Sequence, residues 1–335
     1  MSVAGATIDR FVRERHWRAM GGFAHVVLVG AAGSRDDRVL LDTLLDDAAA
    51  EIERLEARWS RFRPDSDVAH INARAGRPVI VAPDTLDLIE RALDHRRRTG
   101  GRFDPTVLPA LVAAGYDRSY DEVEARVTRD APAIDPGWRA GSGVFVDAVV
   151  GAVAVAAGAA IDLGGIGKGR AADLVATKSV ERGAAGALVN LGGDLRAIGA
   201  APTAAGWVVA IDPVLGVDKG RIAIANGAVA TSSQLTRRWC DPTGAHHHLI
   251  DPATGEPSRS SVAAATVVAA TAERAEVLAK TALIAGGPAG TALLERLGVA
   301  AIIVGLDGRI SRTGGFERYA IADRAGAGPD PVDAR

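Results

Sequence analysis

Four short stretches of the chain gather side chains that can do chemistry. In residues 161–173, IDLGGIGKGRAAD, Asp162 is followed by Gly164, Gly165, Gly167 and Gly169, with Lys168 among them. Glycines let backbone groups approach a ligand closely, a helix N-terminus donates to phosphate, and a lysine adds a cation. The spacing matches neither a Walker A loop nor the GxGxxG dinucleotide pattern. A glycine-rich tight turn between a strand and a helix is the competing reading. In residues 246–257, HHHLIDPATGEP, three histidines precede an apolar pair and a turn. Imidazole is suited to taking a proton near neutral pH, and in a strand His246 and His248 would share a face. The bland alternative is a packed or surface histidine. Residues 231–239, TSSQLTRRW, offer hydroxyls at Ser232, Ser233 and Thr236 and cations at Arg237 and Arg238. These can meet an anion or form a solvated basic patch, and no GxSxG elbow surrounds the serines. In residues 272–283, AERAEVLAKTAL, Glu276 and Lys280 stand four apart, the spacing of an ordinary ion pair on a helix surface.

The elements that must position these groups are set by periodicity. Residues 23–30 predict a buried strand. Residues 38–58 predict a helix with Leu41, Leu44, Leu45, Ala48, Ile52 and Leu55 on one stripe. The segment 63–67 is a turn cluster, with Asp67 placed to cap the residues after it. A second amphipathic helix spans 83–98, turns Leu86, Ile89 and Leu93 inward, and stops at Gly100 and Gly101. Two prolines punctuate 103–114, and 116–141 is polar and turn-rich. A short strand at 159–163 enters the glycine turn, and a helix at 168–183 and a strand at 186–191 come next. Strands at 208–212, 222–225 and 228–232 read as a meander, with Asn226-Gly227 joining the last two as a tight hairpin. A strand at 261–269, a helix at 272–285 and a strand at 300–306 close the pattern. Residues 323–335 read as a disordered tail. This mixed order of helices and antiparallel-looking strands predicts an α+β fold.

Composition narrows the partners. A chain of 335 residues holds one large domain or two small ones. A net charge of −2 gives no electrostatic case for nucleic acid or an anionic membrane. The single cysteine, Cys240, rules out a disulfide within the chain and a Cys-rich zinc site, and reads as a reduced thiol. Charged residues interrupt the first 20 positions, so no secretory signal is expected there. The longest apolar run, 144–163, contains Asp147 and Asp162 and falls short of a membrane span. The expectation is a cytoplasmic protein with no membrane anchor.

Taken together, the stretches resemble a known family. MGG at 20–22, SRFRPDSDVAHIN at 60–72, GRFDPTV at 101–107 and the glycine-rich segment occur in that order. LVNLGGDLRAIG at 188–199, ATSSQLTRRW at 230–239, HHLIDPATGEP at 247–257 and the helix after SVAAATVVA complete the set. Their order and content are similar to the FAD:protein FMN transferase family, also called the ApbE family, over residues 20–286. The resemblance implies a T-fold-related molecule of two mixed α/β parts with a flavin cleft between them. It makes 1–19 an N-terminal extension and 20–322 the transferase domain.

The resemblance also implies roles. Met20, Phe62, Arg102, Phe103, Asp104, Asp162, Lys168 and Ile250 match positions that contact FAD. Phe62 stands where the family often has Tyr, keeping the stacking and losing the hydroxyl. His248 matches the catalytic base. Gly165 matches a carbonyl that faces Mg²⁺, and Glu276 and Lys280 match the positions of two further metal ligands. The implied reaction splits FAD, joins FMN by a phosphoester to a Ser or Thr of an acceptor flavoprotein carrying a flavinylation motif, and releases AMP. The alternatives are an FAD-binding protein without transfer and an FAD pyrophosphatase. The chain departs from the pattern at the metal helix, where the family has Asp and, four residues on, Thr or Ser. Glu276 keeps a carboxylate, but a protonated Lys280 has no lone pair for a metal. Thr281 points elsewhere around the helix. Gly22 and Ser233 are smaller departures.

Overall fold

The computed structural model describes residues 10–31, 35–124, 134, 138–141, 143–211, 220–241, 244–321 and 332–333. The strands β1 (Val12–Ala19) and β2 (Gly22–Val29) form a hairpin, and the long helix α1 (Arg35–Trp59) comes after it. The chain then makes an excursion of short elements: α2 (Asp67–Ala73), β3 (Val79–Ile80), α3 (Pro83–Arg98), α4 (Leu108–Ala113), α5 (Tyr120–Glu124), β4 (Val144–Asp147) and β5 (Ala152–Val155). It returns through the glycine-rich segment into α6 (Gly167–Glu181), β6 (Gly186–Leu191) and β7 (Asp194–Gly199). The pair β8 (Trp207–Ile211) and β9 (Gly220–Ile224) enters a second layer before β10 (Gly227–Ser233). Next come β11 (Arg238–Asp241), β12 (Gly244–His247), β13 (Ile250–Asp251), β14 (Glu256–Pro257) and β15 (Val262–Ala269). Helices α7 (Ala272–Ala285) and α8 (Gly287–Arg296) precede β16 (Ala300–Gly305) and β17 (Ile310–Thr313). The short β18 (Ala320–Ile321) and β19 (Val332–Asp333) join the second layer.

One antiparallel sheet organises the molecule, in the order β1-β2-β6-β7-β10-β15-β16-β17. Because side chains alternate along a strand, each strand feeds two cores. Val26, Leu28, Val189, Ala230 and Val267 pack under α1, α6 and α7. Val27, Val29, Leu188, Val229 and Ile302 pack against Trp207, Val209, Ile222 and Ile224 of the smaller sheet β18-β9-β8-β19. The stripe predicted for α1 is buried along its length, and Ile89 of α3 is buried with Leu86 and Leu93 packed beside it. The two mixed parts are the layered body and the excursion between α1 and α6, as the α+β expectation had it.

Small residues set the spacing between α6 and α7. A Cβ at Gly169 would stand 2.5 Å from the carbonyl oxygen of Ala272, so only glycine permits this approach. Across the same contact, the Asp173 carboxylate accepts the Ala272 N–H at 2.9 Å and the Glu273 N–H at 3.0 Å. An acid on α6 thereby caps α7.

Several expectations are corrected. Residues 159–163 form no strand. The Asn72 side chain brackets Ile161 instead, accepting its N–H at 2.8 Å and donating to its carbonyl at 2.9 Å. The α2 cap is Ser66 rather than Asp67, whose carboxylate reaches across to Thr85 and the Ala82 N–H. Asn226-Gly227 joins strands of different sheets: β9 pairs with β8 and β18, β10 with β7 and β15. Neither residue takes the positive φ that a type I′ hairpin turn demands. Residues 12–19, read as part of an extension, pair with β2 along their whole length. Of the tail, Val332–Asp333 pairs in parallel with β8, and the rest of 323–335 lies outside the described residues. No helix among the described residues is long and apolar enough to cross a membrane. The apolar run 144–163 instead supplies the β4–β5 hairpin.

Candidate active site

A cleft of about 380 Å³ opens at the seam between the excursion and the layered body. The sequence-predicted residues Met20, Phe62, Arg102, Phe103, Asp104, Asp162, Gly165, Lys168, His248, Ile250 and Lys280 all line it. Glu276 stands behind the wall, 2% exposed. Sequence segments more than 200 residues apart therefore converge here, and the chemistry differs along the cleft.

One end is aromatic. Phe62 is 42% exposed at the opening and meets Tyr116 edge-on, with centroids 6.0 Å apart. Tyr116 stacks on Trp239 at 5.6 Å, and Trp239 stacks in turn on His246 at 6.2 Å. The Arg61 guanidinium lies 4.1 Å from the Phe62 ring centre and 4.9 Å from that of Tyr116, and donates to the Tyr116 carbonyl at 2.7 Å. The exposed Phe62 ring, backed by Tyr116 and beside a fixed cation, offers a flat heterocycle a stacking surface. Arg61, Tyr116 and Trp239 were not singled out from the sequence. Tyr116 and Trp239 sit in turn-rich or strand-end segments with no periodic signal.

The other end is charged. Asp162 accepts the Gly164 N–H at 2.9 Å, which shapes the glycine turn, and lies 3.7 Å from Arg61. Lys168, in the first turn of α6, pairs closely with Asp194 and stands 3.2 Å from Glu276. Asp194 comes directly after the Gly192-Gly193 turn, where φ is 61° and 96°. Burial opposes the charge on Lys168, but Asp194 and Glu276 outweigh it, so its pKa is raised. Burial and the nearby Glu276 push Asp194 up to about 6, against the pull of Lys168. Lys280 donates to the Gly165 carbonyl at 3.1 Å. Its pKa is lowered, by burial first, with Glu276 acting in the opposite sense. The surface ion pair expected for Glu276 and Lys280 is instead a pair 3.9 Å apart in which Glu276 is buried and Lys280 is part-buried at the cleft. Asp104 lines the wall, but its carboxylate is engaged by Arg96 at 2.6 Å and the Thr106 N–H at 2.8 Å.

The three histidines separate into different roles. Strand β12 ends at His247, so the alternation that paired His246 with His248 stops one residue short. His247 is buried, with Nε2 at 2.9 Å from the Ser258 carbonyl and Nδ1 accepting the Leu249 N–H. His248 faces the cleft, and its Nδ1 has no hydrogen-bond partner among the described residues. Burial, then Arg237 and Lys280, hold its pKa well below 6.5. Kept neutral, the ring offers one of its two nitrogens as a proton acceptor.

The rim carries backbone strain. Met20 and Gly21 form the two-residue turn of the β1–β2 hairpin with φ of 51° and 69°. The only other non-glycine residue with positive φ among the described residues is Arg237, at 48°. It donates to the Gly21 carbonyl at 3.0 Å, which ties it to the hairpin turn that Met20 begins. The Met20 N–H is held by Glu56 at 2.9 Å. Left-handed non-glycine residues persist where the surroundings over-determine them, often at ligand sites.

A ring slot, a cationic glycine turn and a neutral imidazole along one seam define a site for a nucleotide-like ligand in an α+β protein. The ApbE family model matches residues 20–303, and the chain belongs to the ApbE family. It is 29% identical over 300 residues to a Treponema pallidum protein named FAD:protein FMN transferase, covering 83% of this chain and 82% of that one. A Vibrio cholerae protein of the same name is 26% identical over 302 residues, covering 87% and 84%. The crystal structure of the ApbE protein from Thermotoga maritima superposes with a TM-score of 0.79 at 27% identity, over 92% of this chain and 99% of that one. The apo flavinyl transferase ApbE of Pseudomonas stutzeri shares the fold, with a TM-score of 0.78 at 24% identity, over 92% and 97%.

Proposed function

We propose that this protein is an FAD:protein FMN transferase, with FAD in the seam cleft. The observation that carries the reading is His248: an imidazole held well below its ordinary pKa that lines the same cleft as the cationic glycine turn. The isoalloxazine would stack at Phe62 and Tyr116, and the pyrophosphate would meet the glycine turn with Lys168 and Lys280. The hydroxyl oxygen of an acceptor Ser or Thr bonds to the phosphorus of the FMN half. The bond from that phosphorus to the bridging oxygen breaks, AMP leaves with that oxygen, and His248 takes the hydroxyl proton. Met20 and Ile250 would contact the flavin, and Arg102 and Phe103 line the same cleft. The acceptor is a flavoprotein with a Ser/Thr flavinylation motif. Cys240, exposed and free, suits a reducing compartment, and we place the reaction in the cytoplasm.

The Mg²⁺ implied by the resemblance does not fit the groups present. Of the three positions, Gly165 offers a carbonyl already bonded to the Lys280 ammonium. Both Glu276 oxygens are engaged, one by the Gly169 N–H at 2.9 Å and the other by Lys168. Hard cations require several free oxygen ligands. No step is therefore assigned to a metal.

The test is mass spectrometry of an acceptor fragment incubated with FAD and the enzyme. The expected result is a gain of one FMN on the acceptor with AMP released. His248→Ala should lose transfer by about 10²–10⁴-fold while still binding FAD. Unchanged transfer in that variant removes His248 from the reaction, and FAD left intact by the unaltered enzyme rejects the transferase reading.

A further inference from the structure

Lys280 and Lys168 form the positive face of a closed charge cluster. Both lysines line the cleft, whereas their partners Asp194 and Glu276 are buried and are not among its lining residues. Lys168 joins the two acids, pairing closely with Asp194 and lying 3.2 Å from Glu276. Lys280 rises from the third turn of α7, passes 3.9 Å from Glu276 and ends on the Gly165 carbonyl at 3.1 Å. The ammonium lies against the glycine itself, 2.7 Å from where a Cβ at residue 165 would stand. The carbonyl and the carboxylate that a metal would need are thus the two groups that hold a lysine. A divalent ion placed between them would face two ammoniums at a few ångströms and find its oxygen ligands already taken by N–H donors.

We infer that Lys280 is the resident cation of this site: with Lys168 it takes the FAD pyrophosphate oxygens directly, so that FAD binds without a divalent metal ion. The inference rests on the proposed FAD site. Two ammoniums on the cleft side supply the positive charge that a metal would bring to a pyrophosphate. The buried carboxylates behind them keep the cluster balanced when the cleft is empty. Charge-assisted N–H donors to phosphate are short and strong, and a lysine acts there as a point charge.

The experiment uses the full chain, dialysed against EDTA, with FAD binding measured by calorimetry and Mn²⁺ binding by electron paramagnetic resonance. The unaltered protein is expected to bind FAD equally in EDTA and in Mg²⁺, and to leave the free Mn²⁺ signal unchanged with FAD present. Lys280→Thr restores an oxygen ligand. Its FAD affinity in EDTA should fall by at least about tenfold, the loss of one charge-assisted contact, and should recover when Mg²⁺ is added. Two outcomes overturn the inference: FAD affinity of the unaltered protein that collapses in EDTA, or Mn²⁺ bound stoichiometrically by that protein with FAD. Both are read on the natural chain, so neither depends on a variant folding. Metal-free FAD binding without any transfer to an acceptor would sustain the lysine's role while rejecting the transferase. Failure to bind FAD in every condition overturns both.

Discussion

In the proposed reaction, His248 is the residue whose environment most directly sets activity. Its pKa is lowered, chiefly by burial, so the neutral form that accepts a proton persists below pH 6.5. Depressing a base's pKa moves the acidic limb of the rate profile to lower pH. We expect kcat for transfer to stay flat as the pH falls through 6.5 and to decline only below it. A decline centred at or above 6.5 would contradict a buried, neutral base. The identity of this histidine was only partly legible in the sequence. The HHH run announced imidazole chemistry, but which of three neighbours is free depends on where β12 stops and on the Ser258 carbonyl that claims His247. Lys280 was legible as a departure from the family pattern. Its orientation was not, because i,i+4 spacing fits a surface pair and a buried one equally.

At the scale of elements, α1 and α3 were legible because each buries an apolar stripe that periodicity exposes, whereas α7 is buried on nearly every side and shows no single stripe. The failures share a cause. Asn226-Gly227 has hairpin chemistry, but local sequence does not say which sheet the next strand will join. The glycine turn is entered by an extended segment that pairs with a side-chain amide of Asn72, a contact 89 residues away in sequence. Element contacts also carry the site: α7 holds Glu276 and Lys280 in place because Asp173 on α6 caps its first turn. Asp173→Ala would leave two buried N–H groups without partners and should destabilise the fold by about 2 kcal/mol or more. Thermal unfolding checks this, and an unchanged Tm would show that the cap is dispensable. Because the displaced element bears Lys280, the same variant should weaken FAD binding.

The whole molecule separates its stability from its site. Trp207 is 1% exposed between the large and small sheets, on the face away from α6 and α7. Its Nε1 has no hydrogen-bond partner among the described residues, so its contribution is packing alone. Trp207→Ala should cost about 3–5 kcal/mol, and Trp207→Phe distinctly less, since no hydrogen bond is lost. Both should leave the FAD affinity of the folded protein unchanged, measured by calorimetry below Tm. A loss of affinity in the milder variant would show that the second layer communicates with the cleft.

The aromatic row of Phe62, Tyr116 and Trp239 has an optical consequence. An indole held two rings away from the flavin's berth is placed to pass its excitation to the isoalloxazine, and flavin emission is itself dimmed by stacking on an aromatic face. Filling the cleft with flavin should therefore quench the indoles beside it, Trp59 and Trp239. The protein carries a built-in light meter for the occupancy of its own site, one that reads binding without any label and at every step of a turnover.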